Sequence, residues 1–248
     1  MTLQEFFKAQ PNVALAFSGG VDSAYLLYAA VTSGANVTAY YIKTPFQPQF
    51  EYDDAVKLAT DLGAEMKTIH LDVLQDKNVV ANPANRCYYC KKRIFSAILA
   101  AAREDGFSIV IDGTNASDDA SDRPGMVALQ ELQVRSPLRE AGLTKAEIRR
   151  LSKEAGLFTH DKPAYACLAT RIPAGTRITL DLLKKTEICE EYLKNMGFSD
   201  FRIRYFEGSA RLQLPEAQIP ALLEKRAEVL AFLKQYYPAV LLDMEVRG

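Results

Sequence analysis

The chain has 248 residues, of which 48% are hydrophobic and 25% charged, and 30 basic residues stand against 31 acidic ones for a formal net charge of −1. That length is enough for one large or two modest domains whose core needs no disulfide or structural metal, which excludes disordered, collagenous and rod-like coiled-coil architectures. The near-neutral balance argues against a wholly basic nucleic-acid protein, and apolar runs such as residues 109–111 and 240–242 fall far short of the about 20 residues that span a bilayer.

The opening residues lack the basic stretch, apolar centre and small-residue cleavage site of a secretory signal, so a cytoplasmic location is expected. In that reducing compartment Cys87, Cys90, Cys167 and Cys189 are candidates for metal binding or catalysis rather than for disulfides. Residues 13–17 form an apolar run, followed at once by Ser18-Gly19-Gly20-Val21-Asp22-Ser23 and an apolar-rich stretch at 24–32. This order predicts a buried strand, a glycine turn and a helix. A second strand is expected at 36–42, a helix at 52–62 ended by Gly63, and a third strand at 65–71. A helix at 91–104 closed by Gly106 and a fourth strand at 108–112 follow. Strands alternating with helices imply an α/β fold with a mainly parallel sheet covered on both faces.

Thr144-Lys145-Ala146-Glu147 is a capping box that opens a helix running to about Glu154. Residues 159–179, with two prolines and Gly175, hold no helical period and read as a long functional loop. Beyond it a helix at 180–196, strands at 201–205 and 210–214 around Glu207-Gly208, a helical stretch at 216–235 and a last strand at 239–245 suggest a smaller C-terminal α+β domain. The domain boundary is placed between residues 165 and 166, giving domains 1–165 and 166–248. There is no internal repeat and no low-complexity segment.

Two adjacent glycines let the backbone approach an anion and aim N–H groups at it, hydroxyls of Ser18 and Ser23 add donors, and a helix N-terminus adds partial positive charge. A phosphate is expected there, although the turn is neither a GxxxxGK[ST] loop nor a GxGxxG fingerprint. These residues resemble the SGGxDS motif of the PP-loop ATP pyrophosphatases, which bind ATP, cleave it between the α and β phosphates and adenylate an acceptor. Asp112-Gly113-Thr114-Asn115-Ala116-Ser117-Asp118-Asp119 resembles the GTNxxD element of that family, and it stands at the carboxyl end of a strand, where ligands of open α/β sheets lie. The resemblance makes Ser18, Gly19, Gly20, Val21, Asp22, Ser23, Gly113, Thr114 and Asn115 candidate ATP-binding residues. Asp22 and Asp118, or its neighbour Asp119, are candidate ligands of Mg²⁺, which takes one or two carboxylates with phosphate oxygens and water. Ser136-Pro137-Leu138 and Leu143-Thr144-Lys145-Ala146-Glu147-Ile148-Arg149 resemble a PL…LTKxEIR stretch that closes the ATP domain in several of these enzymes.

Lys162-Pro163-Ala164-Tyr165-Ala166-Cys167-Leu168-Ala169-Thr170-Arg171-Ile172-Pro173 resembles the P-x-x-x-C-L-[AS]-[ST]-R-[IF]-P motif of the LarE sulfur transferases. With the ATP motifs the resemblance covers nearly the whole chain. It implies a carboxylated nucleotide substrate, pyridinium-3,5-dicarboxylate mononucleotide, in nickel-pincer nucleotide synthesis. A carboxylate is activated as an acyl adenylate and then attacked by sulfur. Catalytic Cys167 with Arg171 close behind suits that chemistry, because the thiolate attacks and nearby positive charge lowers its pKa. In single-cysteine members this residue is a sacrificial sulfur donor. Here Cys87-Tyr88-Tyr89-Cys90 adds a CxxC pair, and Cys87, Cys90 and Cys167 match a three-cysteine subgroup, for which the resemblance implies a [4Fe-4S] cluster with one iron open to an extra sulfide.

His70 and His160 do not stand at zinc-finger spacing, and Cys189, in helical phase with Leu182, Leu183 and Leu193, is expected to pack in the core. The resemblance assigns Lys92 to the substrate or ATP phosphates, Arg202 and Arg204 to the substrate phosphate, and either Glu190 or Glu191 to an acid near that pocket. Arginines two apart share one face of a strand, which suits a phosphate fork. A sulfide donor and a homo-oligomer are implied as partners, the latter a hexamer formed through the C-terminal domain, with Phe201, Ile203 and Tyr205 on one face of a shared sheet. A cluster-dependent tRNA thiolase is the alternative, opposed by the net charge and by the lack of a second CxxC pair or an RNA-binding appendage. Intact Asp22, Asp118 and the arginine pair weigh against a degenerate ATP sensor.

Overall fold

The computed structural model describes residues 1–118 and 124–247. In chain order the elements are α1 (Leu3–Ala9), β1 (Asn12–Ala16), α2 (Val21–Thr32), β2 (Asn36–Lys43), α3 (Gln49–Asp61), β3 (Glu65–His70), α4 (Lys77–Val80), α5 (Arg86–Glu104) and β4 (Val110–Asp112). They continue with α6 (Pro124–Glu131), α7 (Pro137–Glu140), α8 (Lys145–Glu154), α9 (Leu180–Asn195), β5 (Arg202–Phe206), β6 (Ser209–Gln213), α10 (Ile219–Glu224), α11 (Arg226–Leu233) and β7 (Val240–Leu242). Two compact units divide the chain: Met1–Val73 with Asn85–Lys162, and Leu74–Ala84 with Pro163–Gly248. Among the described residues no helix is long and apolar enough to cross a membrane.

The first unit is an α/β layer structure on a four-stranded parallel sheet of order β3-β2-β1-β4. Residues of β1 and β2 alternate between two apolar clusters. Val13, Leu15, Ala39 and Tyr41 join α1, α2, α3 and α8 on one face, while Ala14, Tyr40 and Ile42 join α5 and α6 on the other. A strand covered twice must be apolar throughout, which is why residues 13–15 show no polar alternation. The chain winds from β1 outward to β3 and then returns to place β4 on the other side of β1, so the strand order, though not the strand direction, reverses between β1 and β4. At such a switch point the loops leaving the carboxyl ends of the two strands diverge and open a crevice. Ala16 and Asp112, the last residues of these strands, are paired in register. Both glycine-bearing motifs therefore start from one point of the sheet.

The second unit has a three-stranded sheet of order β5-β6-β7, with β5 and β6 antiparallel and β6 and β7 parallel. Glu207 and Gly208, at φ of 46° and 86°, form the two-residue turn that matches strand twist. The helices α10 and α11 provide the crossover that a parallel neighbour requires. Leu74–Ala84 belongs to this unit through main-chain bonds from Ile178 N to Val80 O at 2.9 Å and Gly175 N to Asn82 O at 2.8 Å. The buried Asn82 amide donates to the carbonyls of Ile172, Pro173 and Thr176.

Several elements differ from expectation. The helix expected from residue 91 starts at Arg86, so the CxxC pair lies in its first turns. The stretch 216–235 is divided at Lys225 into α10 and α11. The long loop at 159–179 contains two short 3-10 turns, Phe158–Asp161 and Leu168–Arg171. The row expected to face a second copy is not free, because Phe201 and Ile203 are buried in the chain itself.

Candidate functional site

In the first unit β1 hands over to α2 through residues 17–20. Gly19 has φ +72°, and a Cβ there would stand 2.9 Å from Ala55 Cβ of α3. Gly113, just past β4, would put a Cβ 2.9 Å from the Ser23 main-chain nitrogen. Only glycine meets both demands, one of conformation and one of space. The Ser18 and Ser23 hydroxyls lie 3.1 Å apart, Ser18 N donates to Ser23 Oγ at 3.3 Å, and Ser23 Oγ donates to Gly20 O at 3.2 Å. Val21 is buried and anchors the start of α2. Gly20 is the N-cap and no side chain caps this helix, which leaves its first turn as the sort of positive end that attracts an anion.

Asp112 builds the opposite turn, accepting from Thr114 N, Thr114 Oγ1 and Ser136 Oγ at 3.2, 2.5 and 2.7 Å. Asn115, buried, donates its Nδ2 to Asp22 Oδ1 at 3.3 Å and its main-chain N to Asp118 Oδ2 at 3.0 Å. Two carboxylates thus flank one amide, a donor set of oxygens that fits Mg²⁺ with phosphate oxygens completing its shell. Asp119 lies outside the described residues. Lys145, from the first turn of α8, pairs with Asp22 Oδ2 at 2.5 Å.

Also in this unit, Cys87 is exposed and Cys90 half-buried, one helical turn apart in α5, and Arg86 Nη2 lies 3.8 Å from Cys87 Sγ. Lys92 Nζ donates to Tyr88 Oη and Glu131 Oε2, each at 3.0 Å. The bond to Tyr88 and then that to Glu131 push its pKa up to about 12, so it is a fixed positive charge on an exposed face.

In the second unit the turn that carries Cys167 is fastened residue by residue. Arg202 Nη2 donates to Ala164 O at 2.6 Å, Arg171 Nη1 to Ala166 O at 3.0 Å, and Arg204 Nη1 to Thr170 O at 3.2 Å. Thr170 donates through both N and Oγ1 to Cys167 O. Arg171, 1% exposed, forks onto Glu190 with Nε–Oε1 of 2.8 Å and Nη2–Oε2 of 3.1 Å. Glu190 also accepts from Tyr165 Oη at 2.5 Å and Ile203 N at 2.9 Å. Both Arg171 and Arg202 lie over the Tyr165 ring. Burial and then the nearby Arg171 charge pull the Arg202 pKa down to about 10, and the same two causes lower that of Arg204. Positive charge is therefore in excess around this turn.

Of the two acids, Glu190 is buried in this fork and Glu191 is exposed. Helical phase was the available signal, because 182, 186, 189, 190 and 193 share the buried face of α9. The pairing of Lys145 with Asp22 had no local signal. Cys189 is wholly buried and its thiol is pushed up to about 12 by that burial, so it packs as expected and is unreactive. All four cysteines are free thiols. Among the described residues neither unit by itself gathers three His, Cys, Asp or Glu side chains as a metal centre.

No protein-family model matches the chain. A protein of Lactiplantibacillus plantarum named pyridinium-3,5-bisthiocarboxylic acid mononucleotide synthase is 36% identical over 88% of this chain and 80% of its own. An uncharacterized protein of Synechocystis sp. is 35% identical over 90% of this chain and 83% of its own. A tRNA-specific 2-thiouridylase MnmA of Pseudothermotoga lettingae is 25% identical, covering 81% of this chain and 69% of its own length.

Proposed function

Because the chain belongs to the LarE family of ATP-dependent, PP-loop sulfur transferases, we propose that it converts a carboxylate of pyridinium-3,5-dicarboxylate mononucleotide into a thiocarboxylate. The observation that carries this reading is the extent of similarity to the Lactiplantibacillus synthase: 88% of the chain is more than either unit alone, so the similarity extends into both units. In the first step a substrate carboxylate oxygen attacks the α phosphorus of ATP and pyrophosphate leaves. Sulfur then attacks the acyl carbon and AMP leaves. The Ser18–Ser23 turn with Gly113, Thr114 and Asn115 would hold the ATP phosphates, and Asp22 and Asp118 the Mg²⁺. Lys92, Arg202 and Arg204 supply positive charge for the substrate, though Arg202 is 5% exposed and donates to Phe201 O and Ala164 O. Its contribution to the substrate phosphate is then the field of a buried charge, and Arg204, half-buried, is the better placed to offer a direct bond.

Cys87, Cys90 and Cys167 are the proposed ligands of a [4Fe-4S] cluster. Three soft thiolates suit iron, and the CxxC spacing puts two of them on one face of the first turns of α5. When bound, such a cluster supplies an open iron for the transferred sulfide. The chain's own part is to hold the thiols, which it does for Cys167 through the arginine-fastened turn. We also propose a homo-oligomer, formed at the β7 edge of the second unit, where Leu241 and Leu242 are 40% and 37% exposed on a strand with one unpaired side.

The test is turnover of the anaerobically reconstituted protein with ATP, Mg²⁺, sulfide and the dicarboxylate nucleotide. AMP and pyrophosphate are expected, together with a product in which sulfur has replaced oxygen. Release of ADP and orthophosphate would overturn the assignment, and thiolation of tRNA in place of the nucleotide would move the substrate to another class.

A further inference from the structure

Where the first unit ends for the last time, at Lys162, the chain is held from two helices. Arg149 of α8 donates from Nη1 to His160 O at 2.6 Å and from Nη2 to Lys162 O at 2.8 Å. From α3, Lys57 Nζ stands 5.0 Å over the Phe158 ring, and two carboxylates receive the Lys162 ammonium. Its Nζ lies 3.2 Å from Glu51 Oε2 and 2.7 Å from Asp54 Oδ2, with the Phe50 ring 5.8 Å away. Residues 158–162 are a strap fastened to α8 at one edge and to α3 at the other.

The Lys162 and Glu51 side chains are 13% and 11% exposed. A well-packed apolar pair of the same volume would often hold the fold as well as buried ions do, so what these ions add is a fixed place for a side chain that is otherwise flexible and strongly hydrated. Lys162 has φ −54° and ψ 124°, the extended conformation that a following proline imposes, and Pro163 has no N–H with which to bond back. Side chain, carbonyl and backbone angles are therefore all set at one residue. Only Pro163, Ala164, Tyr165 and Ala166 separate it from Cys167, so the thiol is tethered to this point by at most ~17 Å of chain. The anchoring helix is also the one whose Ala55, next to Asp54, stands against Gly19 of the nucleotide turn.

We propose that Lys162 is a positioning residue for the sulfur-transfer half of the reaction, its ion triad with Glu51 and Asp54 fixing the root of the segment that presents Cys167. A short tether with a fixed root keeps the effective concentration of sulfur high at the acyl adenylate. When the root is loose, water attacks the acyl carbon in place of sulfur, AMP leaves and the carboxylate is regenerated without product. The role of Lys162 rests on the reading of the chain as an adenylating sulfur transferase.

Hydrogen exchange on the full-length protein and product counting on the reconstituted enzyme test it together. Lys162→Met should speed amide exchange across residues 158–171 by ~10-fold while β1 and β2 keep their protection. The AMP released per thiocarboxylate formed should rise by ~10-fold, with the rate of pyrophosphate release within about twofold of the wild type. Lys162→Arg keeps the charge and should restore both readouts. Methionine leaves Glu51 buried without its cation, so if the single variant does not fold, Lys162→Met combined with Glu51→Gln removes both charges and is read in the same way. Unchanged exchange overturns the anchor, and faster exchange with an unchanged AMP ratio overturns its part in sulfur transfer. A parallel fall in pyrophosphate release also overturns the proposal, because it marks an effect on the nucleotide turn through α3. Wild type that releases no pyrophosphate, or forms no thiocarboxylate, overturns the sulfur-transferase reading and this role with it, while the exchange result still reports on the anchor alone.

Discussion

Glu190 is a single buried carboxylate held by the Arg171 guanidinium and the Tyr165 phenol. It accepts from Arg171 twice, from Tyr165 and from Ile203 N, which uses both oxygens fully. Removing it would leave the buried Arg171 charge with only Ala166 O and Thr170 Oγ1. Breaking one side of a buried pair is costly, so Glu190→Ala should lower unfolding stability by ~3–5 kcal/mol, read from urea titration. A loss below about 1 kcal/mol, the range of an exposed pair, would contradict the buried fork. Asp22→Asn addresses the other unit at the same scale. It keeps the shape of the side chain and removes the charge that a metal requires, so AMP and pyrophosphate formation should fall to background with the melting temperature nearly unchanged. Retained turnover in that variant would place the metal elsewhere.

Among the elements, α8 shows how local order serves the site. Thr144→Ala removes the hydroxyl that accepts from Glu147 N and breaks the reciprocal cap, with an expected cost of ~1 kcal/mol measurable by chemical denaturation. Thr144→Ser should restore most of it. This box, the strand–glycine–helix run at 13–32 and the core position of Cys189 were legible because each depends on residues adjacent in the chain or one helical turn apart. The start of α5 was not. Arg86, Cys87, Tyr88, Tyr89 and Cys90 carry no apolar period, and the helix there follows from its continuation into the face of Phe95, Ile98 and Ala102 that packs on the sheet. Nor could the row Phe201, Ile203, Tyr205 be assigned a direction from alternation, since a period of two tells which residues share a face but not which face is covered. The meeting of Asp22 with Lys145, and the use of Arg202 and Arg204 on main-chain carbonyls, depend on tertiary placement that sequence spacing does not encode.

For the molecule as a whole, the three-cysteine reading makes a joint demand on the two units. Alanine at Cys87, Cys90 or Cys167 should each remove most of the iron and sulfide after anaerobic reconstitution, while Cys189→Ala should keep both, as counted by metal analysis and the visible absorption band. Full iron content in both Cys87→Ala and Cys90→Ala would reject the cluster. Intact mass after turnover gives an independent reading: conversion of Cys167 to dehydroalanine, with loss of roughly one H₂S, is the mark of a consumed cysteine. Assembly is read by light scattering, where a mass above one chain that falls in Leu241→Lys is expected from a β7 interface. A wild-type monomer at every concentration would count against it.

The excursion of Leu74–Ala84 into the second unit sets an order of events on the ribosome. The chain leaves the first unit after Val73, returns at Asn85 and leaves again after Lys162. Synthesis runs from the N-terminus, and the carbonyls that receive the Asn82 amide are 90 to 94 residues further on. Until those residues emerge, the Asn82 amide and its neighbours on this excursion are met only by water or by a chaperone. The second unit therefore cannot be exchanged between relatives by a single splice near residue 163, because a graft made there would bring new carbonyls to an old asparagine.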